Sequence, residues 1–268
     1  MKTKLMGILN ITDDSFYEGN RSMDLHDAVK KAHILQEEGA DMLDLGGCSA
    51  RPHSLPVSVE EEIKRTLPLL QILKKELSIP ISIDTFRYEI ASRAVDLGVD
   101  FLNDITGFKD PKMKKLAKTS ALPICVMHMQ ERPRTMQVNP SYPDGVVQEI
   151  KKFFQSRIEE LLEEGVKKEQ IFLDPGIGFG KTLEHNLQIL QDLDKLRELD
   201  QPLLLGTSRK TFIQKLTKQS ASGALYGTLG INSLLIEKEV DILRVHDVAA
   251  HRDLLTVISA LKKVLLNV

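Results

Sequence analysis

The sequence predicts a (β/α)8 barrel, and three observations carry that expectation. Eight short apolar runs of strand character recur along the chain, seven of them separated from the next by a helix-like segment, and a polar residue closes every run. Continuous apolar strands alternating with helices indicate a parallel sheet covered by helices. Eight such units suit a closed barrel better than an open sheet. The competing arrangement, a doubly wound open sheet, normally carries fewer repeats over this length.

The runs fall at 5–9, 42–45, 79–83, 101–102, 123–127, 171–173, 203–205 and 242–245. The first is followed by a helical pattern over 25–38 and the second by the clearest helix, 59–77. There Ile63, Leu67, Leu70, Ile72, Leu73 and Leu77 form an apolar stripe opposite Glu60, Glu61, Lys64 and Lys74. Ser58 suits its N-cap, because a side-chain oxygen there accepts an otherwise unpaired N–H, and Pro68 is a candidate kink. Similar patterns cover 146–164 after the fifth run, 183–199 after the sixth and 248–266 after the eighth. No low-complexity stretch or Pro/Gly-rich linker divides the 268 residues, and α/β barrels of roughly 250 residues form one domain. A single domain over 1–268 is therefore expected.

Composition excludes several classes of function. Hydrophobic residues at 42% and charged residues at 28% are ordinary for a soluble globular chain. Lys plus Arg total 36 against 38 for Asp plus Glu, so no whole-chain field draws the protein to nucleic acid or an anionic membrane. The N-terminal apolar run is shorter than the ~7 to 15 residues of a signal-peptide core, and nothing approaches the ~18 needed to span a bilayer. A cytoplasmic location is expected. Only Cys48 and Cys125 are present, without CxxC spacing, which argues against a disulfide framework or structural zinc and for free thiols.

Barrel active sites occupy the C-terminal ends of the strands. The residues closing the runs are Asn10; Asp44 and the loop 46–51; Asp84; Asn103 and Asp104; His128; Asp174; 207–210; and Arg244, His246 and Asp247. One or two could be helix caps, but eight polar ends suggest a convergent polar mouth. Arg244 and His246 share one face of the eighth strand by alternation and suit a phosphate, since guanidinium donates in a fixed fork. The residues alone leave another arrangement open, with Arg244 paired to Asp247 or Asp241 and His246 capping the last helix. Asp84, Asn103 and Asp174 offer two carboxylates and an amide to one cavity, which suits a heterocycle with adjacent donors and acceptors. Each Asp could instead cap the helix that follows it.

The segment DPGIGFGKT at 174–182 fails as a P-loop, because Pro175 stands where the first glycine is required, and dinucleotide spacing breaks at Lys181. It reads as a Gly-rich turn that lets backbone approach a flat ligand, with Phe179 available to stack or pack, or as an ordinary strand-to-helix loop. Gly206 to Phe212 follows the seventh strand and opens a helix, so its N–H groups and Lys210 favour an anion or carbonyl. Cys125 and His128 point to opposite faces of one strand, which argues against a shared metal.

At these residues the sequence resembles dihydropteroate synthase over nearly its whole length. Eight blocks match in order: MGILNITDDSF at 6–16, GADMLDLGGCSARP at 39–52, ISIDTFR at 81–87, FLNDITG at 101–107, VMHMQ at 126–130, LDPGIGFGKTLEHN at 173–186, GTSRK at 206–210 and RVHDV at 244–248. The resemblance implies that Asp84, Asn103, Asp174 and Lys210 hold a pterin, with Met127, Phe179 and Gly206 lining its slot and Arg244 stacking over the ring. It implies Asn10 at a magnesium ion, and Arg244 and His246 at pyrophosphate. Phe16, Arg51 and Pro52 on two mobile loops, with Ser208 and Lys210, match the p-aminobenzoate side.

The implied reaction joins the pterin pyrophosphate to p-aminobenzoate in folate synthesis by dissociative substitution, with Asp84, Lys210 and Arg244 as the catalytic set. Magnesium and cationic groups stabilise departing pyrophosphate, and Asp84 steadies a cationic pterin methylene before the arylamine attacks. A homodimer is implied as well. The chain departs from the family pattern at Asp13, commonly Pro; at Cys48-Ser49-Ala50, commonly Glu-Ser-Thr; and at Glu131, commonly Gly. A pterin-binding paralogue without turnover and a pterin-dependent methyltransferase barrel are the alternatives, the latter having no use for an Arg244 and His246 phosphate wall.

Overall fold

The structure is a computed structural model that describes residues 3–11, 21–48, 57–131 and 135–265. Eight strands alternate with helices: β1 (Lys4–Asn10), α1 (Arg21–Glu37), β2 (Met42–Gly46), α2 (Val59–Glu76), β3 (Ile81–Asp84), α3 (Tyr88–Asp96), β4 (Phe101–Asp104), α4 (Pro111–Ser120) and β5 (Ile124–Met127). There follow α5 (Val146–Glu164), β6 (Ile171–Asp174), α6 (Leu183–Gln191), α7 (Asp194–Arg197), β7 (Leu204–Leu205), α8 (Thr211–Thr217), α9 (Leu225–Glu237), β8 (Ile242–Val245) and α10 (Val248–Leu265).

All strand pairs are parallel, in the order β6-β5-β4-β3-β2-β1-β8-β7. The Leu173 N–H donates to the Pro202 carbonyl at 2.9 Å beside a parallel bridge from Leu173 to Leu203, which joins the two ends of the sheet. The expected (β/α)8 barrel is thus the fold.

Alternation divides the strand side chains into two populations. Leu5, Leu43, Ile81, Ile83, Leu102, Val126, Leu173, Leu205 and Leu243 join one large core between the barrel and its helices. Met6, Met42, Phe101, Cys125, Leu204 and Ile242 form a separate buried cluster of the opposite parity, which fills the barrel lumen, with the Phe172 ring edge-on to Phe101 at 5.3 Å. Two residues further along the same parity stand Asp44, Asn103, Met127, Asp174, Gly206 and Arg244. The apolar plug therefore forms the floor on which the polar groups sit.

Several expectations hold at the residue level. Ser58 Oγ accepts from the Glu61 N–H at 3.1 Å, and α2 runs on through Pro68. The strands extend past their apolar runs to include Asn10, Asp84, Asn103 and Asp174, because the parallel ladder continues there; the Thr85 N–H, for example, donates to the Asn103 carbonyl at 3.0 Å. The pattern over 183–199 breaks into α6 and α7, with Asp192 closing the first. Among the described residues no helix is long and apolar enough to cross a membrane.

Candidate active site

The deepest polar group of the mouth is Asp44, fully buried in the middle of β2. Its Oδ1 accepts the Ser82 hydroxyl at 2.6 Å, and its Oδ2 accepts the Asn103 amide at 3.2 Å together with Arg244 Nε. Arg244 Nη2 in turn donates to Asp84 Oδ2 at 2.8 Å. One guanidinium is thus clamped between two carboxylates on strands far apart in sequence. The alternative partners of Arg244 are otherwise engaged: Asp247 takes a two-pronged bond from Arg209, and Asp241 accepts the Leu203 N–H. Asp84 does not cap α3, whose cap position is Arg87.

Burial and then the Asp44 carboxylate push the Asp84 carboxyl up to about 7, against the opposing pull of Arg244. Burial alone would lower the Arg244 pKa, but Asp44 and Asp84 more than reverse it, so the guanidinium stays charged.

Across the mouth, Asp174 accepts the Gly176 N–H at 2.7 Å. Gly176 has φ +66, and a Cβ there would overlap the His128 carbonyl oxygen, so the turn demands glycine on both counts. Lys210, half-buried, donates from Nζ to the Ile177 carbonyl of the same turn and lies 4.6 Å from the centre of the Phe179 ring. Burial first, and Arg244 in addition, bring its ammonium down to about 8, although Asp174 and Asp84 oppose them. Met127, Ile105, Met129 and Met136, with Phe86 and Phe179 against them, form an apolar wall. The result is a slot with acids and amide at one edge, sulfur and aromatic rings on a side, and two cations.

Gly206 keeps one side of the slot open: a Cβ there would lie 3.8 Å from Arg244 Cβ and 3.9 Å from Lys210 Nζ. Beyond it, Ser208 Oγ accepts the His246 backbone N–H at 3.2 Å and lies 3.0 Å from His246 Nδ1. Burial, then Arg244 and Arg209, hold the His246 ring down to about 4, so it is neutral at physiological pH. Asn10 stands at the rim, where Gly46 removes a side chain that would come within 3.0 Å of Asn10 Oδ1 and 3.6 Å of Asp84 Oδ2.

Of the residues that the sequence singles out, the mouth brings together Asn10, Asp84, Asn103, Met127, Asp174, Phe179, Gly206, Ser208, Lys210, Arg244 and His246. Phe16, Arg51 and Pro52 lie outside the described residues, as do Asp13, Ser49 and Ala50.

A profile of the family described as "Pterin binding enzyme" matches residues 6–246. The dihydropteroate synthase of Haemophilus influenzae is 39% identical over 254 residues, 95% of this chain and 92% of the relative. The chain belongs to the dihydropteroate synthase family. The synthase fold recurs in a Yersinia pestis member solved with a sulfonamide drug complex, with TM-score 0.92, 34% identity and coverage of 98% of this chain and 95% of the other. It recurs again in the Xanthomonas albilineans synthase solved with 4-aminobenzoic acid, with TM-score 0.90, 36% identity and coverage of 97% and 93%. That synthase has also been solved with 7,8-dihydropteroate. This chain is therefore an enzyme of the transferase class.

Within this synthase-family barrel, two groups do more than a reading by strand ends shows. Asp44, expected among the residues that close the runs, stands in the middle of β2, and its partner Arg244 lies 200 residues away. Lys181, buried beneath the Gly-rich turn, donates to the Phe179 carbonyl at 2.9 Å and lies 3.0 Å from His128 Nδ1. Burial, then Lys181, drives the His128 ring down to about 2, so it is a neutral acceptor for the Lys181 amino group, whose own pKa burial lowers well below the usual lysine range. The pairing takes His128 out of the mouth. A departure from the synthase pattern has a visible cost: Glu131 adopts φ +64, a conformation that glycine takes freely. Cys48 is half-buried, and burial followed by the nearby Glu62 carboxylate keeps its thiol protonated.

Proposed function

We propose that this chain condenses 6-hydroxymethyl-7,8-dihydropterin pyrophosphate with p-aminobenzoate, giving 7,8-dihydropteroate and pyrophosphate. The observation that carries the reading is the slot itself, where Asp84, Asn103, Asp174 and Lys210 converge beside the Met127 and Phe179 wall. The Xanthomonas albilineans relative bound to 4-aminobenzoic acid and to 7,8-dihydropteroate supports the same substrate pair.

In this reading the carboxylates and the Asn103 amide pair with the donor-rich edge of the pterin, and Lys210 donates to its carbonyl side. Arg244, tied to Asp44 and Asp84 by Nε and Nη2, keeps its flat face for the ring and Nη1 for the leaving group. The bond between the pterin methylene carbon and the pyrophosphate oxygen breaks with its electron pair leaving on oxygen. Asp84 steadies the cationic methylene, the arylamine nitrogen forms the new bond, and that nitrogen releases a proton. Rate enhancement comes from positioning and electrostatics, with no nucleophilic side chain. The Ser208 hydroxyl, which already accepts the His246 N–H, donates to Nδ1 and leaves the opposite ring N–H for pyrophosphate.

Magnesium fits the rim. Mg²⁺ is typically bound by one or two protein oxygens plus substrate phosphates, and the missing Cβ of Gly46 leaves space beside Asn10 Oδ1. Asn10 would hold the ion, which supplies charge neutralisation on the pyrophosphate. Phe16, Arg51, Pro52, Ser208 and Lys210 serve p-aminobenzoate.

We assign the barrel as one domain, acting in the cytoplasm as a homodimer. Exposed Tyr226 and Leu234 on α9, with Val257 and Leu261 on α10, support self-association through adjacent helices.

The test is a product assay with purified protein, both substrates and magnesium. Dihydropteroate should form; its absence at high enzyme concentration, with tight pterin binding by calorimetry, would instead indicate a binding paralogue without turnover. Failure to bind pyrophosphate would point to the methyltransferase class.

A further inference from the structure

The turns that carry Ser208 and His246 belong to different strands and face different substrates in the function proposed above, on which this inference rests. A line of buried side chains ties them together behind the mouth. Thr207 Oγ1 lies 2.6 Å from Asn232 Oδ1 on α9, Asn232 Nδ2 lies 2.9 Å from His251 Nε2 on α10, and His251 Nδ1 lies 2.6 Å from the Asp247 carbonyl. Thr207, Asn232 and His251 are all 0% exposed, so water does not compete for the first two of these bonds, and the third ends on the half-buried Asp247.

The chemistry of the line allows one arrangement for a neutral ring. Nδ1 faces a carbonyl and must carry the proton, so Nε2 is bare and accepts from the Asn232 amide. The amide oxygen then faces Thr207, whose hydroxyl donates to it. Burial lowers the His251 pKa and favours this neutral form. The line thus has a direction, from Thr207 at the end of β7 to Asp247 after β8.

Each end anchors a turn of the mouth. Arg209, between Ser208 and Lys210, adopts φ +57, which is costly for a side chain with a Cβ. Its N–H donates to Thr228 Oγ1 at 3.2 Å, and its guanidinium grips the Asp247 carboxylate with Nε at 3.0 Å. Thr228 lies one turn of α9 before Asn232, so the strained turn is held from both sides. Asp247 follows His246 directly.

We propose that Asn232 and His251 are positioning residues for the transfer reaction. Their relay sets the Ser208 to Lys210 turn in register with His246, so that the arylamine nitrogen is aimed at the methylene carbon from which pyrophosphate departs. Neither side chain touches substrate. Asp84, Asn103 and Asp174 hold the pterin edge from strands that the relay does not touch, and Lys210 is the one pterin-edge contact on the relayed turn, so the relay acts on the encounter of the two substrates more than on pterin affinity.

The test compares His251→Leu, Asn232→Leu and His251→Gln in the full chain. A glutamine side chain in place of the His251 ring can span the same two partners, with its amide oxygen toward Asn232 and its nitrogen toward the Asp247 carbonyl. We expect His251→Leu and Asn232→Leu to lower kcat/KM for p-aminobenzoate about 10-fold, with calorimetric affinity for 6-hydroxymethylpterin within about 2-fold of wild type. His251→Gln should restore most of the loss. Amide hydrogen exchange at Arg209 and His246 should quicken in the Leu variants and return in the Gln variant, a readout that does not depend on turnover.

Equal impairment of His251→Gln and His251→Leu would overturn the relay in favour of simple packing. So would unchanged kinetics and exchange in both Leu variants, or a loss of 6-hydroxymethylpterin binding as large as the loss of kcat/KM. A wild-type protein without turnover would defeat the function proposed above, and amide exchange would then decide the relay by itself.

Discussion

Replacing Asp44 by Asn should destabilise the protein by about 3 kcal/mol, although the two side chains are nearly the same size. Asp44 accepts three bonds, from Ser82, Asn103 and Arg244, and all three partners are donors toward it. An amide offers one oxygen: turned toward Ser82 it points NH2 at two donors, and turned toward Asn103 and Arg244 it keeps those bonds only by making the Ser82 hydroxyl accept instead of donate. The substitution also removes one of two carboxylates that neutralise the buried Arg244. Breaking a buried ion pair costs about 3 to 5 kcal/mol, and the surviving Asp84 contact places this case at the low end. At roughly 2 to 4 °C per kcal/mol for a chain near this size, Tm should fall by about 6 to 12 °C. Thermal unfolding followed by circular dichroism at pH 7.5 measures it. A second signature separates this account from generic damage: since Asp44 helps raise the Asp84 carboxyl, the acid limb of the turnover profile should move to lower pH in the variant. A Tm within about 1 °C of wild type, or an unmoved acid limb, would refute the clamp.

Asp84→Asn and Lys210→Ala should each lower turnover at least ~100-fold, the scale of losing one key electrostatic group, and steady-state kinetics will show whether either residue is dispensable. The folded His128 ring has its pKa held far below 6.5, so the unfolded chain binds a proton that the folded one refuses as pH falls from 6.5 toward 2. Its contribution to stability is complete above 6.5 and is lost below, at about 1.4 kcal/mol per pH unit; urea unfolding at pH 6.5 and 5 should show wild type losing about 2 kcal/mol relative to His128→Gln. Gly176→Ala meets both a positive φ and the His128 carbonyl, and should cost about 2 kcal/mol or more and abolish pterin binding by calorimetry. Chelating magnesium should stop turnover while sparing 6-hydroxymethylpterin affinity, and Asn10→Ala should raise the magnesium concentration for half-maximal rate by about 10-fold.

Much of the mouth is legible along the chain because a barrel converts strand parity into position. Once 242–245 is a strand, Arg244 and His246 must share a face, and the same rule places Asp84, Asn103, Met127 and Asp174 over the lumen. The less visible elements fail for physical reasons. In α9 apolar residues surround the axis, so no stripe marks its inward face, and β7 spans only Leu204–Leu205 because the barrel closes there largely through loop backbone.

The sequence by itself determined the eight-unit alternation, the apolar parity that makes a floor and the polar residues that end each strand. Local hydrogen bonding and hydrophobic periodicity act over a few residues, and those features are written at that range. Only the tertiary structure decided which charges meet. Asp44 reads as one more polar strand end until β8 brings Arg244 to it, and His128 reads as a mouth residue until Lys181 takes its lone pair. His251 likewise reads as one more helical histidine before Asn232 reaches its ring. Long-range electrostatics depends on burial and on distance between elements, and neither exists before the chain closes on itself.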